Sequence, residues 1–292
     1  MTVRIVTDTN VNLPPELVRQ CRITLVPAII IFGDQSLKEG LEISTTEVIE
    51  RMKHGAESPK TSQPPPHDFE LAYRSLLDKE PAAAILSIHL TGAQSGTLRS
   101  AEEAAAKVRA DFPRARIEVF DSQAFSIAQS LMVYEAGSMA ARGSTLKSIV
   151  DRMNHMRERT RLFFILDTLD FAYRGGRLGR AAHLVGSLLN IKVVLTFLEG
   201  ELVPYARFRT MRKAMAKLAS LAAGAAAGAD ELQIAVGYAV HRGQASRLAE
   251  ELKEQLMPEL LLFHEIGPAL AVHAGPGAIG IAWYAGDKPI QA

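Results

Sequence analysis

The chain has a single cysteine, a single tryptophan and almost no net charge, and each scarcity removes a class of explanation. Cys21 alone cannot close an intramolecular disulfide, and no Cys/His cluster has zinc-binding spacing. A reducing cytoplasm is the expected compartment, and no cofactor or metal is called for. Lysine and arginine total 33 against 32 aspartates and glutamates, so no long-range field draws the protein to nucleic acid or to an anionic membrane. No segment reads as a bilayer-spanning helix. Met1-Thr2-Val3-Arg4-Ile5-Val6 enters a strand pattern without the basic and apolar regions of a signal peptide. The expectation is a protein neither secreted by that route nor stably inserted in a membrane. With 292 residues, 48% of them hydrophobic, the chain can bury the core of one large domain or of two lobes.

What the sequence does hold is small hydroxyls gathered in turns. Thr61-Ser62-Gln63-Pro64, Ser95-Gly96-Thr97 and His273-Ala274-Gly275-Pro276-Gly277 combine hydroxyls, glycine-turn amides and one imidazole, with neither lysine nor carboxylate among them. Such groups donate hydrogen bonds to an oxyanion, each worth roughly 1.5–3 kcal/mol where water is excluded. That chemistry receives an anion and does not break a bond, although plain strand-to-helix turns have the same composition. Other chemistry-bearing residues are weaker signals. Gly175-Gly176-Arg177 lacks the spacing and the Lys-Ser/Thr of a P-loop. His89, His183, His241 and His264 are scattered without ligand spacing, and Asp8 and Asp121, each at the end of a strand pattern, read as helix caps.

Strand and helix patterns alternate through the first half. Arg4 to Thr7 reads as a buried strand and Ile23 to Phe32 as a longer apolar run. Ser44-Thr45-Thr46-Glu47 is a capping box opening a helix that Gly55 closes, and Pro64-Pro65-Pro66-His67-Asp68 starts another through Tyr73 and Leu77. A strand at Ala82 to Leu90, a helix from Ser95 to Val108, a strand at Arg116 to Phe120 and a long helix from Asp121 to Arg142 follow. Strands separated by helices imply parallel pairing with right-handed crossovers, so residues 1–160 are predicted to form a doubly wound α/β lobe. Ligands of such lobes sit at the carboxyl ends of the strands. The second half, residues 161–292, reads as an α+β lobe with a mixed sheet. Its predicted strands are Arg161 to Leu166, a hairpin of Val193 to Leu198 and Leu202 to Phe208 around Glu199-Gly200, Gln233 to Val240, and Ile279 to Tyr284. Helices are predicted after Gly179, from Thr210 to about Gly224 and from Gln244 to Leu256.

The order and spacing of short motifs resemble the DegV family of bacterial fatty-acid-binding proteins. They are Val6-Thr7-Asp8-Thr9 with Leu13-Pro14, Thr61-Ser62-Gln63-Pro64 with Asp68-Phe69, Ser95-Gly96-Thr97 with Ser100-Ala101, Asp121-Ser122, Gly175-Gly176-Arg177-Leu178-Gly179, Ile191-Lys192, Arg209-Thr210, and Gly267-Pro268 with His273 and Gly275-Pro276-Gly277. The resemblance implies a two-lobe, non-catalytic protein that encloses one long-chain fatty acid and presents its carboxylate to a separate fatty acid kinase, which forms the acyl phosphate. It further implies that Thr61 and Ser95 hold the carboxylate with Ser62, Gly96 and Thr97 beside them. Arg177 and His273 would complete the polar network, and Arg209 would contact the head group or the partner. The chain departs from the family pattern at Gln94 and Leu98, at Ala269-Leu270-Ala271 and at Thr9.

Burial of a chain of about 16 carbons at about 0.8 kcal/mol per methylene gives roughly 12 kcal/mol gross, enough to offset much of the entropy lost on binding. Val26, Ile29, Ile31, Phe125, Phe163, Phe164 and Ile165 are candidates to line the tunnel. The competing reading is a hydrolase of acyl esters or thioesters with Ser95 as nucleophile, His273 as base and Asp8 as orienter. Against it, Gly92-Ala93-Gln94-Ser95 is not a nucleophile elbow. Arg207, Arg209, Arg212 and Lys213 form a basic group that is either a solvated face or a docking surface for the kinase.

Overall fold

The computed structural model describes residues 2–55, 58–184, 191–198 and 200–286, without the side chains of residues 180, 183 and 184. Its strands and helices, in chain order, are β1 (Val3–Asp8), α1 (Pro15–Gln20), β2 (Thr24–Val26), β3 (Ile29–Phe32), β4 (Gln35–Lys38), α2 (Thr45–His54), β5 (Lys60–Ser62), α3 (Pro66–Lys79), β6 (Ala84–His89), α4 (Thr97–Asp111), β7 (Arg116–Asp121), α5 (Ser126–Ala141) and α6 (Leu146–Arg159). They continue as β8 (Thr160–Leu166), α7 (Asp170–Arg174), β9 (Lys192–Leu198), β10 (Glu201–Phe208), α8 (Met211–Ala226), β11 (Glu231–Tyr238), α9 (Arg242–Leu256), β12 (Leu260–Glu265), α10 (Pro268–Ala274) and β13 (Ile279–Gly286).

The first sheet is wholly parallel, in the order β2-β1-β6-β7. All six residues of β6 are buried, as a central parallel strand covered on both faces requires. The second sheet has six strands in the order β10-β9-β8-β13-β11-β12 and is mixed, with only β11 and β12 parallel. The α/β class with a parallel and then a mixed sheet is therefore as read from the sequence. Between the sheets lies α5, apolar around most of its circumference and packed both on β1 and on β11 and β13.

Several boundaries differ from expectation. The run Ile23 to Phe32 is not one strand. Pro27, which has no N–H to give to a ladder, separates β2 in the parallel sheet from β3, which pairs antiparallel with β4 and β5 in a small third sheet. The long helix begins at Ser126 instead of Asp121, because β7 runs through Asp121 and two non-glycine residues with positive φ, Gln123 and Ser126, turn the chain between them. Asp121 accepts the Gln123 N–H in that turn and caps no helix. After Gly179 the backbone forms a 3-10 turn through Leu184, and the rest of the expected helix lies outside the described residues. Glu199 of the hairpin and the His183 side chain are outside them too. The helices α1, α6, α7 and α10 and the strands β4, β5 and β12 had no counterpart in the sequence reading.

Candidate functional site

Strand β5, which carries Thr61 and Ser62 where the sequence reading had a turn, the Ser95–Thr97 turn and His273 converge at the carboxyl end of the parallel sheet. Pairing of β5 with β3 brings Thr61 beside Ile30, while Ser95 and Thr97 stand at the start of α4, just past the end of β6. Gly96 lets the turns touch, since a Cβ there would stand 2.9 Å from the Gln63 amide nitrogen. Helix α10 delivers His273, whose Nε2 lies 2.8 Å from Thr61 Oγ1. Ser95 Oγ is 2.8 Å from Thr97 Oγ1 and accepts the Thr97 N–H at 3.2 Å. Burial, with the nearby Arg177 charge adding to it, lowers the His273 pKa to about 4, so the imidazole is neutral at physiological pH. Its Nδ1 has no hydrogen-bond partner among the described residues and packs on Gly175, where a Cβ would come within 2.1 Å.

These groups surround a cavity of about 110 Å³. Thr61, Ser62, Ser95, Thr97, Arg177 and His273 all line it. Gly96 stands behind the wall as the N-cap of α4, and exposed Arg209 is not among the described residues of the wall. Arg177 is exposed at the rim, where it donates to the Gly175 carbonyl at 2.7 Å. Asn10, Gln63 and Gln94 add amide groups that the sequence reading did not assign to the site. Asn10 had a local signal, because it follows Asp8, whose carboxylate accepts its N–H at the end of β1. The glycine turn after His273 has another role than anion donation. Gly275 packs on the Phe171 ring and Gly277 on the Asp167 carboxylate, and neither is in the wall.

A second cavity, of about 60 Å³, adjoins the first and shares Phe125, Phe164, Leu270 and Ala274 with it. Among the described residues its only polar side chain is Ser126. Of the seven apolar residues predicted to line a tunnel, Phe125 and Phe164 line these two cavities. Alternation along β8 decides this: Leu162, Phe164 and Leu166 face the cavities, whereas Phe163 and Ile165 point through the sheet into the cluster under α8 and α9. Val26 is buried in the core against α3 and α4. Ile29 and Ile31 are not among the described lining residues.

The Ser95, His273 and Asp8 triad does not assemble. Ser95 pairs with Thr97, His273 with Thr61, and Asp8 is fully buried against His89 Nδ1 at 3.0 Å while also accepting the Leu90 N–H. Burial alone would raise the Asp8 pKa, but the His89 contact and the further hydrogen bonds it accepts hold it below the ordinary value. From His89 the bonds continue through Ser87 to Tyr73, a buried chain away from the cavity. Among the described residues no group of three or more His, Cys, Asp or Glu could hold a metal, and no helix is long and apolar enough to cross a membrane.

A family model described as "Uncharacterised protein, DegV family" matches residues 2–286. A DegV domain-containing protein of Halalkalibacterium halodurans is 34% identical over 284 residues, covering 97% of this chain and 98% of that protein. The structure of a fatty-acid-binding DegV family protein from Thermus thermophilus aligns with a TM-score of 0.90 at 32% identity, over 98% of this chain and 100% of that one. That of a stearic-acid-binding protein from Eubacterium ventriosum aligns at 0.89 and 25% identity, over 97% and 98%. The chain belongs to the DegV family.

Proposed function

We propose that this protein binds one long-chain fatty acid, with the carboxylate among Thr61, Ser62, Ser95, Thr97 and His273 and the tail running past Phe125 and Phe164 into the apolar cavity. The observation that carries the proposal is the junction of a hydroxyl-lined cavity with an apolar one across four shared residues, which matches a molecule with one anionic end and a long hydrocarbon. The fatty acid and the stearic acid bound by the two structural relatives fit the same description. In this reading residues 1–160 form the lobe that supplies the hydroxyls, and residues 161–292 form the lobe that closes the tunnel and brings His273 and Arg177. The compartment is the cytoplasm, where Cys21 stays a thiol.

In this reading the head group meets neutral donors, and Arg177, the one cation among the described lining residues, is exposed at the rim. A carboxylate held this way keeps an oxygen free to react, whereas a bidentate arginine would occupy both. This supports a role as the non-catalytic acyl-binding partner of a fatty acid kinase, to which the carboxylate is presented for phosphorylation. Denaturing extraction of the purified protein followed by mass spectrometry tests the binding. The expected result is about one long-chain fatty acid per chain, because tail burial outweighs the cost of ordering the ligand. Recovery of none, from protein that also fails to take up added fatty acid, overturns it. The kinase role is tested separately, by acyl phosphate formation when a fatty acid kinase and ATP are added to loaded protein.

A further inference from the structure

The apolar cavity lies against the face of the six-stranded sheet that α5 covers, and the residue pairs on that face shrink steadily toward it. Across β11 and β13, Gln233 faces Tyr284, Ala235 faces Ala282, and Gly237 faces Gly280. On the neighbouring strand Leu162 stands beside Ala282 and Phe164 beside Gly280. Two glycines opposite each other in the interior of a sheet forfeit packing and mark a close approach by something else. One side chain makes that approach. Ile127, in the first turn of α5 and 1% exposed, sits in the notch. A Cβ on Gly237 would stand 2.6 Å from Ile127 Cγ2, and one on Gly280 would stand 3.3 Å from Ile127 Cδ1. All three residues also line the apolar cavity.

We infer that Ile127, seated in the notch between Gly237 and Gly280, is the end stop that sets the length of acyl chain this protein accepts. The inference rests on the fatty-acid reading of the two cavities. A chain that enters from the hydroxyl end and passes Phe125 reaches this notch last. Each methylene that finds dry space strengthens binding about fourfold, whereas one that finds none must displace close-packed side chains. Affinity therefore climbs with chain length up to the stop and falls beyond it. Shortening Ile127 moves the stop back. Ile127→Val removes Cδ1, the atom over Gly280, and Ile127→Ala clears the notch. Gly280→Ala acts in the opposite sense, since its methyl would lie 3.2 Å from Phe164 Cβ and 3.3 Å from Ile127 Cδ1, contacts that a shift of a few tenths of an ångström relieves.

The test uses delipidated wild-type protein and the three variants, with straight-chain saturated fatty acids of 12 to 20 carbons competing against a fluorescent fatty acid. The expected optimum moves about one carbon longer in Ile127→Val and about two longer in Ile127→Ala, and shorter in Gly280→Ala. Where Ile127→Ala folds poorly, the Val and Gly280 variants still bracket the stop from both sides. An unchanged optimum in variants that bind fatty acid overturns the end stop alone. Failure of the wild type to bind any member of the series overturns the fatty-acid reading and the end stop with it.

Discussion

Thr61→Val removes one hydroxyl from the proposed head-group site while nearly preserving side-chain shape. With His273 neutral, the tautomer that carries its proton on Nε2 donates to Thr61 Oγ1 across 2.8 Å, and in that tautomer the threonine proton is free to point into the cavity. A hydrogen bond from that hydroxyl to a carboxylate is worth roughly 1.5–3 kcal/mol, or about 10- to 150-fold in affinity. The tail is untouched, and at about 0.8 kcal/mol per methylene it continues to hold the ligand. The assay is displacement of a fluorescent fatty acid by palmitate and, in parallel, by methyl palmitate, whose head group carries no charge. Palmitate is expected to weaken by about 10- to 150-fold in Thr61→Val, and the ester, which accepts only as a neutral group, by the smaller factor of about 2- to 13-fold. Equal weakening of both would mean that the variant disturbs the tunnel, and unchanged palmitate binding would refute Thr61 as a head-group donor.

Ser95→Ala is expected to keep its fatty acid on extraction yet lose most acyl phosphate formation with added kinase, because this hydroxyl fixes the oxygen that must attack phosphate more than it holds the ligand; a parental rate refutes the assignment. Arg212→Glu and Arg209→Ala, both exposed beside the start of α8, are expected to slow kinase-dependent phosphorylation in a salt-sensitive way with unchanged lipid content. A normal rate in Arg212→Glu with a defect confined to Arg209→Ala would reject the docking patch and assign Arg209 to the head group. Glu39, buried between Thr9 and the Ala269 N–H, has its pKa raised from 4.5 to about 7, chiefly by burial. A raised carboxyl contributes stability that is complete below 4.5 and is lost as pH climbs through 7, so Glu39→Gln should gain on the wild type between pH 4.5 and 8 by an amount on the order of 3 kcal/mol, read from urea unfolding. A constant difference across that range would refute the linkage.

The polar end of the site was legible because its chemistry is local. Hydroxyls and glycine clustered within three or four residues; Ser95 and Thr97 follow β6 of the parallel sheet, while the antiparallel pairing of β5 with β3 brings Thr61 and Ser62 to the same cavity. Arg177 and Arg209 came only with the family pattern, and the structure separates them, one in the cavity rim and the other outside the described wall. Some missed elements had signals. Thr145 caps α6, and Leu146, Ile149, Met153 and Met156 recur at helical spacing along it. The break of one apolar run into β2 and β3 was written in Pro27.

The apolar end was harder to read, for a physical reason. Alternation along β8 shows that Phe163 and Phe164 face opposite ways, but only the partner layers decide which face meets the cavities and which meets α8. Glycines carry the same ambiguity. Gly96, Gly175 and Gly237 look alike in the sequence, yet one admits the Gln63 amide, one the His273 ring and one the Ile127 side chain. The occupant arrives in each case from a distant segment. Cavity walls built from β8, α5, β11, α10 and β13 are assembled by sheet register and lobe packing, so their lining follows from which residues are opposite one another, as Gly237 is to Gly280.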